Sequence, residues 1–372
     1  MSFTLSEIAA ALGLNAVGAA ELRLTGLAEP QEAGPEHLAL AMDRKYADAL
    51  GRGQARAALL WPGADWQALG LEGAIFVERA GAVLPRLTAL MDKGPMLGEG
   101  IHPEAVIDPG AEIGPGATIG AFAVIGPGVR IGPGARIAPH VSIAAGARIG
   151  ADALLHAGVR IEREVVIGDR FIAQPNAVIG GDGFSFKVVE EASAVEKLRA
   201  GVSGGAEQPA TVAGSRRWAR VASLGTVIIG DDVEVGAATT IDRGTIRATR
   251  IGDRCKLDNH IQIGHNVVLG SDCLLAAGTG IGGSSRLGDR VVLGGYCGVS
   301  DNVFIGDDVV AGGRTAVFSN VPGGRAIWGN PAVRLETQIA INKELRRLPR
   351  LAARLRALET KLPPEGEPNV DK

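Results

Sequence analysis

The sequence predicts a mainly β fold: a parallel β-helix with an N-terminal α/β domain before it and C-terminal α-helices after it. Three observations carry that expectation. First, an aliphatic residue returns every six positions through Ile101, Ile107, Ile113, Ile119, Ile125, Ile131, Ile137, Ile143, Ile149, Leu155, Ile161 and Ile167. Neither a helix nor a simple strand has that period, and a six-residue repeat with Gly after the aliphatic residue is the mark of a parallel β-helix. Second, the fifth position of each hexad is small or β-branched, as at Ala117, Ala123, Val129, Ala135, Val159, Val233, Val267 and Val309. One large and one small residue per hexad then point inward, which suits a narrow prism with three short sides per coil and coils about 4.8 Å apart. Third, Gly makes up 54 of 372 residues while aromatics are only 4%. That is the composition of tight corners around an interior too thin for rings.

Residues 1–100 read as a separate mixed domain. A short helix is expected over Leu5–Leu12, stopped by Gly13, and the apolar runs Ala57–Leu60 and Ala74–Val77 read as strands. The β-helix is expected over 101–332. An excursion at about 187–217, rich in charge, Gly and Pro, breaks it; loops of that length are usually functional or disordered. The hexads resume at Ile229, Val235 and Ile241. Four extra residues, Arg247–Arg250, interrupt them, and they continue from Ile251 and Leu257 to Ala311 and Val317. Residues 333–372 form a helical extension, with helical spacing over 333–362 and Pro349 expected to split or kink it. That stretch carries eight Lys/Arg against three Glu in a chain of net charge −3. A solvated helix face and a docking surface for an acidic partner both fit the surplus.

Cys255, Cys273 and Cys297 all fall on the small inward position and are expected to fill core space. No C-x-x-C or comparable metal-ligand spacing occurs, so no metal and no cofactor are expected. The N-terminus lacks the basic start and apolar core of a signal peptide, and no apolar run reaches membrane-spanning length. The chain therefore reads as cytoplasmic, without an integral membrane segment and without a nucleic-acid partner.

Of six histidines, His37 lies in the N-terminal domain, and His102, His140 and His156 read as structural or solvent-facing. His260 and His265 lie in the segment Leu257–Val267. His265 holds the third position of its hexad, which projects from a corner of the prism. Counting one coil forward gives Gly283, and two coils and one residue give Asn302. If Arg247–Arg250 bulge out, the coil before brings Asp242 and Arg243 beside His265. A base next to a Gly-Gly backbone that offers an N–H is the outline of an acyl-transfer site. Asp258, seven residues earlier, is a prism side away and reaches His265 only from a neighbouring subunit.

These residues closely resemble the UDP-3-O-(3-hydroxyacyl)glucosamine N-acyltransferases of lipid A biosynthesis, over nearly the whole chain. The shared stretches are Gly100-Ile101-His102-Pro103, Ile179-Gly180-Gly181-Asp182-Gly183-Phe184 and Thr239-Thr240-Ile241-Asp242-Arg243-Gly244. To these add Asp258-Asn259 through Gln262 to His265-Asn266, and Gly329-Asn330-Pro331-Ala332. The resemblance implies a homotrimer of left-handed β-helices. It implies a 3-hydroxyacyl chain carried by acyl carrier protein, and as acceptor the 2-amino group of a UDP-3-O-acylglucosamine. On that reading His265 is the general base, the Gly283 N–H the oxyanion donor, and Asp258 the group that orients the imidazole across subunits. Asn302 stands near the thioester, where some relatives carry a second histidine. The N-terminal domain would hold the uridine end through Asp43, Lys45 and Tyr46, with Leu40 and Asp43 where relatives carry Phe and Asn. Further substrate contacts would come from Asp242, Asn259, Gln262 and Asn266, and carrier-protein docking from Arg346, Arg347 and Arg350. The alternatives are another hexapeptide-repeat acyltransferase acting on a nucleotide sugar, and a non-catalytic β-helix scaffold.

Overall fold

The computed structural model describes residues 2–188, 217–329 and 332–360. The excursion expected at 187–217 falls almost wholly outside them, as does the chain after 360. The chain divides into two compact units, Met1–Met96 and Leu97–Lys372.

In the first unit a helix runs over Leu5–Leu12, as its apolar spacing predicts. Thr4 and Glu7 form a reciprocal capping box at its start, and Gly13 ends it in the left-handed conformation at φ 70°, a backbone that Gly adopts without strain. A five-stranded sheet follows the order Ala16–Gly18, Gly73–Phe76, Ala57–Leu60, His37–Ala41, Gly26–Ala28. The Ala57–Leu60 strand is buried throughout, as a central parallel strand covered on both faces should be. A second helix spans Ala80–Met91. The two faces of the sheet serve two cores, one with Leu5, Ile8, Leu59 and Leu87 and one with Leu50, Leu60 and Ala74.

The second unit is the parallel β-helix, built from two- to four-residue strands in three long sheets of ten, nine and ten strands. Face one includes Val124–Ile125, Thr240–Asp242 and Gln262–Ile263. Face two includes Thr249–Ile251, Val268–Leu269 and Arg286–Leu287. Face three includes Lys256–Leu257 and Leu274–Leu275. The step is the 18 residues that three hexads require, as in the pairs Thr118–Arg136 and Gln262–Gly280. The large and small positions both point in, and they form one continuous core from Ala117 to Val317. Each fully buried Ile or Leu contributes roughly 1.5–3 kcal/mol. The contribution is shared only with adjacent coils, so stability passes from coil to coil.

Two of the steps that depart from 18 bear on function. Val178 pairs with Thr240 and Ile167 with Ile229, so the sheets continue from one side of the excursion to the other. Val227 pairs with Thr249 and Ile241 with Ile263, which puts the four extra residues between Asp242 and Thr249. By sequence the interruption reads as Arg247–Arg250. The structure corrects this: Thr249 and Arg250 are paired strand residues of face two, and the loop is Arg243–Ala248. Arg250 precedes Ile251 just as Arg148 precedes Ile149, and a residue at that position can stay in the ladder.

Cys255, Cys273 and Cys297 are buried free thiols. A hydrogen bond with Cys273, reinforced by burial, holds the Cys255 thiol protonated. The extension forms two exposed helices, Leu335–Leu345 and Leu348–Glu359, and Pro349 lies in the first turn of the second, where its missing N–H costs nothing. Among the described residues no helix is long and apolar enough to cross a membrane.

Candidate active site

The corner from face one to face two carries His265, and the interruption before it builds the histidine's surroundings. Asn266 follows in the left-handed conformation at φ 63°, one that Asn tolerates better than most residues. It clamps the Arg243–Ala248 loop by three bonds. Its backbone N–H donates to Thr249 Oγ1 at 2.8 Å, its Oδ1 accepts from the Thr245 N–H at 3.1 Å, and its Nδ2 donates to the Arg247 carbonyl at 2.8 Å. These partners fix which end of the amide is which. Oδ1 is an acceptor, and it lies 3.0 Å from His265 Nδ1. In the neutral imidazole Nδ1 is therefore the nitrogen that carries the proton, and Nε2 the one with the lone pair.

Glycines confine the ring on two sides. A Cβ on Gly283 would lie 2.7 Å from His265 Cε1 and Nε2, and one on Gly183 would lie 2.6 Å from His265 Cβ. Any side chain at either position would displace the imidazole. The Gly283 N–H has no acceptor among the described residues. Asn302 is stacked beyond, its N–H donating to the Gly283 carbonyl at 3.0 Å and its Nδ2 to Asp301 at 2.9 Å.

Asp242 is half-buried beside this corner. Burial pushes its carboxyl up from the ordinary range, opposed by a 2.9 Å hydrogen bond from Gln262 Nε2 and by the nearby His265. Gln262 is in turn held at Oε1 by Thr240, so it acts as a brace for Asp242. Arg243 was expected beside His265, but it turns inward. It is 1% exposed, and its Nη2 donates to the Arg163 carbonyl. The neighbour below His265 is Gly183, which is itself anchored by a 3.1 Å bond from its N–H to buried Ser223. Counting by 18 missed Gly183 because the excursion lies between; its only signal was the Gly-rich stretch before the break.

The other expected site residues lie elsewhere. Asp258 and Asn259 occupy the corner from face three to face one. Asp258 accepts from the N–H groups of Asn259 at 2.7 Å and Ala277 at 3.0 Å, and Asn259 Oδ1 accepts from the Ala237 N–H. Both line a hollow of about 510 Å³ with Glu234 and Lys256. In the first unit, Asp43 caps the short turn Arg44–Tyr46, and Lys45 lies 3.4 Å from Asp43 and 5.0 Å from the Tyr46 ring centroid. The Lys45 N–H bond and charge hold the Asp43 carboxyl low. Tyr46 is exposed, whereas Leu40 packs on the domain core. Arg346, Arg347 and Arg350 lie exposed on the C-terminal helices, and Arg347 is paired with Glu344 at 2.8 Å. Among the described residues no cluster of His, Cys, Asp and Glu is arranged to hold a metal ion.

Comparison with known proteins agrees with the fold. The family model "Bacterial transferase hexapeptide (six repeats)" matches residues 128–163 and 248–283, and "Hexapeptide repeat of succinyl-transferase" matches 226–259. A UDP-3-O-acylglucosamine N-acyltransferase of Ruegeria pomeroyi is 59% identical, over 96% of this chain and 97% of its own. One of Paracoccus denitrificans is 53% identical over 96% of both. The solved structure of an Arabidopsis UDP-N-acetylglucosamine acyltransferase shares the fold at a TM-score of 0.50 and 22% identity, covering 62% of this chain and 71% of that one.

Proposed function

This chain belongs to the UDP-3-O-acylglucosamine N-acyltransferase family, and we propose that it moves a 3-hydroxyacyl group from acyl carrier protein to the 2-amino group of a UDP-3-O-acylglucosamine. The observation that carries the mechanism is the His265 Nδ1–Asn266 Oδ1 contact of 3.0 Å. It leaves Nε2 unprotonated beside the Gly283 backbone. His265 Nε2 takes a proton from the amine as the nitrogen attacks the thioester carbonyl. The carbonyl oxygen becomes an oxyanion, which accepts a hydrogen bond from the Gly283 N–H. The C–S bond then breaks, and the departing thiolate takes the proton from the imidazolium, yielding the amide and the free carrier thiol. Asp242 lies near enough to interact electrostatically with this corner's histidine. Asn302 adds a donor near the thioester.

Asp258 sits one prism side from His265 on the same chain. Its assigned role, to orient a histidine, requires a second copy, so the reading includes a homotrimer in which corners of adjacent helices meet. Asp43, Lys45 and Tyr46 form an exposed polar and aromatic group suited to a uridine. The basic helices suit an acidic carrier. Charge reversal of Arg346, Arg347 and Arg350 to Glu is expected to raise KM for the acyl carrier protein about tenfold with kcat little changed; an unchanged KM removes the docking role.

The decisive assay uses purified protein, UDP-3-O-acylglucosamine and acyl carrier proteins bearing 3-hydroxyacyl chains of varied length. Formation of the amide supports the reading. No turnover with any chain length on that acceptor rejects it.

A further inference from the structure

We propose that the hollow on the face-two side of the His265 corner is a phosphate subsite, gripped by Arg247 and Arg286. The hollow measures about 410 Å³ and is lined by Arg247, Ser284, Arg286, Asn302, Phe304 and Asn320, among others. It begins one residue past the proposed oxyanion donor. Ser284 follows Gly283 and donates its N–H to the His265 carbonyl at 2.8 Å, and Asn302 donates to the Gly283 carbonyl. A ligand group lying here is therefore continuous with the reacting centre.

Its chemistry follows from what lines it. Arg247 and Arg286 bring two guanidiniums, and neither forms an ion pair with a described residue. This contrasts with three arginines at the next corner. Arg170, Arg254 and Arg290 each form a bidentate pair with an aspartate one coil on, at 2.7–2.9 Å. The column thus can neutralise an exposed arginine by stacking a carboxylate over it. At the hollow it stacks Phe304 over Arg286 instead. Arg247 comes from the four-residue insertion, whose carbonyl is held by Asn266, so the residue that sets the histidine tautomer also fixes the backbone of this arginine. Two guanidiniums with no ion-pair partner among the described residues, lining one hollow with hydroxyl and amide groups, match the oxygens of a phosphate or diphosphate, which Arg binds in bidentate fashion.

This inference rests on the proposed reaction, which offers two sources of that chemistry: the diphosphate of the nucleotide sugar and the phosphodiester of the carrier's pantetheine arm. The test uses the full chain with Arg247→Gln, Arg286→Gln and the double variant. In steady-state assays the double variant is expected to raise one KM by about tenfold or more, with a smaller fall in kcat. A raised KM for the UDP-sugar assigns the diphosphate, and a raised KM for the acyl carrier protein assigns the pantetheine phosphate. A direct arm keeps the subsite testable if the reaction itself proves wrong. Inorganic pyrophosphate and 4′-phosphopantetheine are titrated calorimetrically into wild type and double variant. Binding of either probe by wild type, weakened at least fivefold in the double variant, supports the subsite. Equal binding by both proteins, or none by wild type together with unchanged KM values, overturns it.

Discussion

Two corners of the same β-helix show how one backbone serves as scaffold or as reaction site. At the corner from face two to face three the chain satisfies itself. Asp231, Asp253, Asp289 and Asp307 each accept the N–H of the residue stacked one coil earlier, at 2.8–3.0 Å. The neighbouring positions alternate into Arg–Asp pairs. At the corner from face one to face two the equivalent positions hold His265 and Gly283. Among the described residues no carboxylate caps the Gly283 N–H, and no group is bonded to His265 Nε2. Buried and half-buried polar groups are normally paired, so a donor and an acceptor left open side by side mark the corner that a substrate completes.

The sharpest way to break this contrast is at the open acceptor. His265→Ala is expected to lower kcat about 10³-fold, within the range for a lost general base, with the thermal midpoint near that of wild type because the side chain projects from the core. Steady-state kinetics with a melting curve decide it, and turnover within tenfold of wild type rejects the assignment. Gly283→Ala tests the slot without removing the oxyanion N–H. Its new Cβ would lie 2.7 Å from two ring atoms of His265, and displacement on the ångström scale costs about 10²-fold. An Ala variant of full activity would mean that the ring stands elsewhere during catalysis.

The self-satisfied corner was legible in the sequence because period 18 stacks like on like. Counting placed Gly283 over His265 and kept Asp258 away from it. What counting could not reach lies where the period breaks. The excursion hid Gly183, which needed pairing across 62 positions, Val178 with Thr240, to be found. The insertion is visible in the sequence but its boundary is not, since Thr249 and Arg250 look like additions until the strand pairing is known. The role of Asn266 was also out of reach. It was expected to touch substrate, and both ends of its amide are engaged within the chain. Hydrogen-bond direction at an amide depends on which backbone groups surround it, and no spacing rule encodes that.

A subtler difference between the corners is the state of their carboxylates. At the paired corner the Arg170 hydrogen bonds hold the Asp232 carboxyl below its ordinary range, whereas burial raises that of Asp242. A raised carboxyl favours the fold when protonated, and this contribution is lost as pH rises through the raised value. Asp242→Asn keeps an oxygen for the Gln262 bond and removes the charge. The variant is expected to melt modestly higher than wild type at neutral pH, with the gap closing as pH falls toward the ordinary carboxylate range. Parallel melting curves from pH 4 to 8 check this; a constant gap means that burial does not control Asp242.

The smallest effect is expected at the paired corner itself. Arg254 and Asp272 meet in a bidentate contact, but about half of each side chain is exposed, so water and salt screen the attraction. The double variant Arg254→Ala, Asp272→Ala removes both charges of this pair, and Asp253 loses only a 3.9 Å contact with Arg254. Asp253, which caps the Asp231 N–H, stays in place, so the backbone corner keeps its bond. The melting temperature should fall slightly at low salt and match wild type at high salt, with kcat unchanged at both. A fall in kcat beyond about twofold would mean that strain passes from one corner to the next through the two-residue strands, and that the division between scaffold and site is not one of corners.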